Sequence, residues 1–310
     1  MKTQPATVTG NLVLGVDLGG TKTSIGLVDE QYRVVHRSEV LTSEFIHGDI
    51  SFLISKLNKV VREAQKNSTQ VTAIGLGIAG VPDSAGQDIT QAPNLGMLPG
   101  SGIGRLLADE LELPVKMEND VNLTALGEQI RGAARQVSSF ALLSIGTGLG
   151  AAFIDDGRLI RGKTGSAGEI GQVLSHKQDS QKTRFLPFEE VLSGPKLSER
   201  AEEVFGRPTS PSDLITLADG GLPEALSLID EYVAILGDLV RIMDSIADPE
   251  IIILSGGLGS NPLITKRLRS ALRSVKFETA VQQAALGNDG ALIGARVLCE
   301  TRNLEMVTAG

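Results

Sequence analysis

Short apolar runs separated by polar turns open the chain. Leu12 to Val16 is a β-type run that stops at Asp17, and Leu18-Gly19-Gly20-Thr21-Lys22 turns it into a second run, Thr23 to Val28. Asp29-Glu30-Gln31 turns again into Tyr32 to Val35. Three runs joined so closely predict an antiparallel meander. The same pattern returns later: Phe140 to Ile145, a turn at Gly146-Thr147-Gly148, Leu149 to Ile154, a turn at Asp155-Asp156-Gly157, and Arg158 to Ile160. The offset from Gly20 to Gly148 is 128 residues, the size of a domain, so the chain is expected to consist of two related halves.

After each meander the period changes. Leu53, Leu57, Val60, Val61 and Ala64 fall at helical spacing, and Ala73 to Ala79 then reads as a strand that runs into Gly80 and Pro82. In the second half Leu226 to Ile246 predicts a long helix, apolar nearly all round, followed by a strand from Ile251 to Leu254 that stops at Ser255-Gly256-Gly257. Pro114 to Met117 predicts a further strand in the first half. Long apolar strands ending at glycines and interleaved with helices indicate an α/β fold with largely buried sheets. Ligands are expected at the strand ends between the halves. Ser175 to Thr183 and Gly206 to Asp213, polar and without periodicity, read as surface loops.

Composition narrows the field. The formal net charge is −8 and only 10 of 310 residues are aromatic, which argues against a nucleic-acid surface. The single cysteine, Cys299, can form neither an internal disulfide nor a multi-thiolate metal site. No stretch has the length and apolar character of a membrane span or a signal peptide, so a cytoplasmic protein is expected. The three histidines are isolated, and no Walker A or GxGxxG spacing is present.

Five short segments carry candidate chemistry. Asp17-Leu18-Gly19-Gly20-Thr21-Lys22 combines a strand-end acid with glycines, a hydroxyl and a cation: backbone N–H groups, Thr21 and Lys22 suit phosphate oxygens, and Asp17 suits Mg²⁺ held through water. A plain hairpin turn is the competing reading, and the second copy, Gly146-Thr147-Gly148-Leu149-Gly150, strengthens the phosphate one. Asp120, in Glu118-Asn119-Asp120-Val121-Asn122 at the mouth of a helix, suits a base that takes a proton from a hydroxyl, although Asn and Asp are also the usual N-cap residues. Glu169, among the small residues of Gly165-Ser166-Ala167-Gly168-Glu169-Ile170-Gly171, suits vicinal hydroxyls of a sugar or is a solvated loop acid. Asn94, in Ala92-Pro93-Asn94-Leu95, offers an amide on a proline-stiffened loop that by itself reads as a turn.

Taken in order, these segments together with Gly75-Leu76-Gly77-Ile78-Ala79-Gly80, Ala125-Leu126-Gly127-Glu128, Gly168-Glu169-Ile170-Gly171, Ser193-Gly194-Pro195 and Ser255-Gly256-Gly257 resemble the ROK family of bacterial sugar kinases and related repressors. The resemblance implies the duplicated actin/hexokinase-like ATPase fold, with ribonuclease H-like halves and a cleft between two domains. These are expected at residues 1–118, joined by a C-terminal helix at 296–310, and at 119–295. It further implies a glucokinase-like transfer of phosphate from ATP to a hexose hydroxyl, with the 6-hydroxyl as the expected acceptor, in a homodimeric enzyme. Asp120 would be the general base, and Asn94, Asn119 and Glu169 would hold the sugar. Asp17, Gly19, Gly20, Thr21, Lys22, Gly146, Thr147 and Gly148 would surround the phosphates and Mg²⁺, and Gly256 and Gly257 the adenosine.

Two departures from the family pattern stand out. Gln172 occupies the position of a family histidine, and no cysteine lies between Gln172 and Gly194, where relatives carry a CxCGxxGCxE zinc motif, so no structural zinc is expected. The motif's final acid falls on Glu189, with Glu190 one residue away as the alternative, and Gln172 and Glu189 join the candidate sugar ligands. Two other functions compete. A sugar-sensing regulator of the same family is disfavoured because only 16 residues precede Asp17 and the chain is acidic. A catalytically inactive sugar-binding homologue is disfavoured by the presence of Asp120 and both glycine–hydroxyl turns.

Overall fold

Both apolar meanders fold as three-stranded antiparallel ribbons, each completed into a five-stranded sheet by parallel strands. The computed structural model describes residues 10–45, 50–66, 69–83, 86–91, 100–179 and 182–300. In the first half, β1 (Asn11–Leu18) pairs with β2 (Lys22–Val28) and β2 with β3 (Val34–Leu41), so that Asp17 lies opposite Ser24 and Ser24 opposite Glu39. The third strand starts beyond Tyr32, which sits in the preceding turn at a φ of 57°. The amphipathic helix α1 (Ser51–Lys66) buries the five apolar residues its spacing picks out. Next come β4 (Gln70–Ile78), parallel to β1, and a small ribbon of β5 (Val81–Pro82) and β6 (Ile89–Gln91). They are followed by α2 (Ile103–Leu111), β7 (Val115–Asn119), parallel to β4, and α3 (Asp120–Arg131). The sheet order is β3-β2-β1-β4-β7.

The second half repeats this order with β8 (Phe140–Ile145), β9 (Leu149–Asp155) and β10 (Arg158–Leu159) as its meander. The segment read as a polar loop at Ser175 to Thr183 is instead the larger part of a two-stranded ribbon, β11 (Leu174–Asp179) with β12 (Lys182–Pro187). That ribbon belongs to neither five-stranded sheet, so no buried face imposes an apolar alternation on it. Helices α4 (Glu189–Leu192), α5 (Gly194–Phe205) and α6 (Pro211–Asp219) follow. The second segment expected as a loop, Gly206 to Asp213, contains the start of α6: Ser210 and Asp213 form its capping box and Pro211 its first residue. The long apolar helix is α7 (Pro223–Ala247), and it leads to β13 (Ile251–Ser255), the short α8 (Gly256–Gly259), α9 (Pro262–Ser274) and β14 (Ala280–Gln283). With the order β10-β9-β8-β13-β14, this sheet has the topology of the first, and β14 is the counterpart of β7.

The chain divides into two compact units: residues up to 132 with 161–166 and 288 onward, and residues 133–160 with 167–287. Helix α3 therefore belongs to the first unit, beyond the division expected at residue 118. So does the last helix, α10 (Gly290–Glu300), which begins ahead of the expected position 296. Residues 301–310 lie outside the described ones. Each unit has its own apolar core, one around Leu14, Val16, Ile74 and Leu76, the other around Leu143, Ile252, Leu254 and Leu236.

In the first unit α10 lies on the sheet through glycines. A Cβ on Gly15 would stand 3.1 Å from the Leu292 carbonyl oxygen, and one on Gly75 would stand 2.5 Å from that of Ala295. The α3–α10 contact is equally close, with Gly127 against the Gly290 carbonyl and Gly294 against that of Leu123. No helix among the described residues is long and apolar enough to cross a membrane.

Candidate functional site

In the first unit the candidate acids converge at one spot because a glycine leaves room for them. Gly77 on β4 lies between Asp17 on β1 and Glu118 on β7 in the pairing. A Cβ there would come 2.9 Å from Leu123 Cδ1, 3.5 Å from Asp17 Oδ1 and 3.6 Å from Asp120 Cα. The absent side chain thus lets the first turn of α3 settle onto the strand beside Asp17. Burial pushes the Asp17 carboxyl up to about 6, against the positive charges of Lys22 and Arg37, which act to lower it.

Of the two motif residues suited to cap the helix, Asn119 takes that place and Asp120 does not. Asn119 is the N-cap: its Oδ1 accepts from the Val121 and Asn122 N–H groups at 2.9 and 3.1 Å, and its Nδ2 donates to the Gly80 carbonyl at 3.1 Å. Asp120 is the first helical residue, half-buried, with Oδ1 2.9 Å from the Val121 nitrogen. Its side chain therefore stands at the positive end of the helix.

The first hairpin is fixed from behind. The Gly19 carbonyl accepts from Thr42 Oγ1 at 2.7 Å, and the Thr21 carbonyl from the Thr42 N–H at 3.0 Å. Thr21 and Lys22 are exposed. Lys22 Nζ rests 3.1 Å from Glu39 Oε1, which Arg37 also reaches at 2.9 Å, so one carboxylate holds both cations.

In the second unit the counterpart turn is tied to the start of α5. The Gly146 N–H donates to the Gly148 carbonyl at 3.0 Å, while the Gly146 carbonyl accepts from the Gly194 N–H at 2.8 Å. Thr147 is exposed at the tip. Gly256 has a φ of +77° and packs against the Ile145 carbonyl so closely that no side chain fits, which brings Gly256 and Gly257 to the root of the same turn.

Glu189, rather than Glu190, faces the candidate sugar acid. Its Oε2 accepts from the Leu149 N–H at 2.9 Å, and it crowds Gly171, two residues from Glu169. Partial loss of solvent, and then the Glu189 charge, raise the Glu169 carboxyl above its ordinary value. Glu190 instead pairs with Lys196 at 3.2 Å. Gln172 ends a single 3₁₀ turn with an exposed side chain. Asn94 lies outside the described residues.

This arrangement of two sheets of one topology, each with a glycine–hydroxyl turn after its first strand, agrees with the comparison to known families. The ROK family model matches residues 13–302. The chain belongs to the ROK family. Among ROK relatives, the N-acetyl-D-glucosamine kinase of Escherichia coli is 26% identical over 301 residues, covering 92% of this chain and 98% of the relative. Among solved structures, a ROK hexokinase from Thermus thermophilus superposes with a TM-score of 0.77 at 28% identity, covering 93% of this chain and 97% of that one. A ROK glucokinase from Streptomyces griseus, in complex with glucose and AMPPNP, gives 0.77 at 26% identity, with 93% and 98% covered. The fold is the actin-like ATPase fold of these ROK kinases.

Within the first unit the structure brings Asp17, Asn119 and Asp120 together, and within the second Gly146–Gly148 with Gly256, and Glu169 with Glu189. The sequence reading did not assign Gly77 or Glu118 a role in the site. The signal for Gly77 is its place among the spaced glycines of Gly75-Leu76-Gly77-Ile78-Ala79-Gly80, which mark close approaches without naming what approaches.

Proposed function

We propose that this protein is an ATP-dependent kinase of a hexose or 2-acetamido hexose, with Asp120 as the general base and the two glycine–hydroxyl turns as phosphate loops. The observation that carries the reading is the approach of Asp17 and Asp120, the first residue of α3, to the same open space at Gly77, with Asp120 at the positive end of the helix. In this mechanism Asn119 orients Asp120 and offers its amide to the sugar. Glu169, Glu189, Gln172 and Asn94 hold further hydroxyls. Asp120 accepts the proton of the reacting hydroxyl as its oxygen bonds to the γ-phosphorus, and ADP leaves with the electrons of the broken P–O bond. Lys22, Thr21, Thr147 and the N–H groups of Gly19, Gly20 and Gly148 would bind the phosphates, with Gly146 shaping its turn, and Gly256 and Gly257 would lie against the adenosine.

Asp17 suits the Mg²⁺ that accompanies the nucleotide. Among the described residues it makes no ion pair, since Lys22 and Arg37 both turn to Glu39, and a half-buried carboxylate with a raised pKa gains from a cation. No cluster of three or more metal-binding side chains occurs among the described residues, as fits an ion that takes most of its ligands from water and phosphate. The ion would offset the negative charge of the phosphates.

The two named activities among the relatives, on N-acetyl-D-glucosamine and on glucose, define the sugars to try first. An ADP-release assay against a panel of hexoses and 2-acetamido sugars tests the reading, and turnover with at least one of them is expected. Asp120→Asn is expected to lower kcat by at least ~10² with sugar affinity little changed, because a base acts on the transition state more than on the ground state. No turnover with any sugar, or near-normal kcat in that variant, would refute it.

A further inference from the structure

Next to Asn119 and Asp120 is an ion pair between a buried carboxylate and a half-buried guanidinium that the proposed chemistry does not use directly. Glu118, the residue before Asn119 on β7, is 1% exposed. Its Oε1 accepts from the Asn119 N–H at 2.8 Å and from Asn122 Nδ2 at 3.0 Å, so one oxygen holds both the N-cap residue and the first turn of α3. Its Oε2 lies 2.8 Å from Arg161 Nε. Both of those atoms are shut off from solvent, and neither makes an aligned hydrogen bond, so the attraction between them is that of charge to charge. Arg161 stands on 161–166, the short stretch by which the chain revisits the first unit, and Gly165 on the same stretch packs by Val81 and Pro82.

We propose that Arg161 and Glu118 form a positioning pair for the base: Arg161 fixes the Glu118 carboxylate, and Glu118 sets the N-terminus of α3 and with it the place of Asp120. The inference rests on Asp120 being the base. A carboxylate removed from water needs a countercharge, and Arg161 is the one at hand. Stability alone does not call for such a cluster, since apolar side chains of similar volume would fill the space at least as well. Asn122 Oδ1 is also buried there without a hydrogen bond, a further cost that a purely structural packing would avoid. What the cluster supplies is direction: two hydrogen bonds to one oxygen fix the height and rotation of the helical turn that starts with Asp120.

The test uses the intact protein and a sugar found to be a substrate. Arg161→Ala is expected to reduce kcat by ~10 to 10²-fold, the scale of a misplacement of about 1 Å, while KM for sugar and for ATP stays within about twofold. Arg161→Lys, which keeps a charge, should lose less. Arg161→Ala combined with Glu118→Gln should recover part of the kcat lost in Arg161→Ala alone, because the stranded charge is gone while Oε1 still accepts both hydrogen bonds. Unchanged kcat in Arg161→Ala would overturn the proposal, as would a parallel loss of kcat, KM and Tm in every variant with no recovery in the double one. Asp120→Asn run alongside separates the two ideas. If it stays active, the base assignment fails; if it is inactive while Arg161→Ala is normal, only the positioning pair fails.

Discussion

Glu169 works against the stability of the empty protein in a way its proposed task explains. Partial desolvation and the nearby Glu189 raise its folded-state pKa above the value of an unfolded glutamate. The associated stability is present in full below the unfolded value, near 4.3, and is lost as pH rises through the higher folded value, so the ionised side chain is a net cost at neutral pH. Glu169→Gln should therefore raise Tm at pH 7 to 8 relative to wild type, with the gap closing below about pH 4; calorimetry across that range, finding no gap at pH 7, would contradict the pairing. Lys22 poses a related question, because Glu39 already occupies its charge. An exposed pair of this kind is worth about 0–1 kcal/mol, so a nucleotide phosphate can draw the lysine away. Lys22→Ala and Thr147→Val should each raise KM for ATP and leave sugar affinity unchanged, and calorimetry giving wild-type nucleotide affinity for both would remove these turns from the site. Strand-end acids and glycine turns such as these are legible in sequence because their chemistry lies in the residues themselves. Glu118 was not legible as a support, since its partner Arg161 is 43 positions away and only the fold joins them.

The elements that the sequence pattern displays best are those whose two faces differ. The spacing in α1 picks out its buried residues, and the strands of the second meander stop within a residue of where the turn residues predict, whereas β3 in the first runs on to Leu41, past the Val35 at which its apolar run ends. Helix α10 escapes the same reasoning because it is covered on nearly every side: Gly290 to Arg296 are all buried, which leaves no polar stripe to mark a period. Arg296 illustrates the point, since its guanidinium is spent on the Asn11 and Val28 carbonyls and on Glu300 rather than on solvent. The contact of α10 with α3 depends on hydrogen where other residues carry carbon. Gly294→Ala forces a methyl group against the Leu123 carbonyl, which is backbone and cannot turn aside. A loss of roughly 1–3 kcal/mol in chemical denaturation is expected. Gly77→Ala meets the flexible end of Leu123 first and should cost less stability, but it crowds Asp17 and Asp120 and should affect kcat more. Equal stability losses in the two variants would argue against this difference between backbone and side-chain obstruction.

At the scale of the whole molecule, the duplication visible as a 128-residue offset is repeated in two sheets of the same strand order. What the offset does not reveal is that the first unit is discontinuous in the chain. Its sheet begins at residue 11, yet α10, which lies against Gly15, Gly26 and Gly75 and against α3, is contributed by residues 290–300. A ribosome delivers these pieces in order, and the usual expectation is that the N-terminal unit folds first. Here the strands made first must wait, with the apolar floor of β1 and β4 uncovered, until residues 290–300 have been synthesised. The second unit, whose residues end at 287, has its whole complement of segments before then. Chains stalled with residue 287 clear of the exit tunnel and α10 still inside it should therefore carry a protease-resistant second unit and a digestible first one, and resistance of the first should appear only once Glu300 has emerged as well. For this molecule α10 acts as the latch on the first sheet, so a stop codon within residues 290–300 would spoil the part of the fold that was translated earliest.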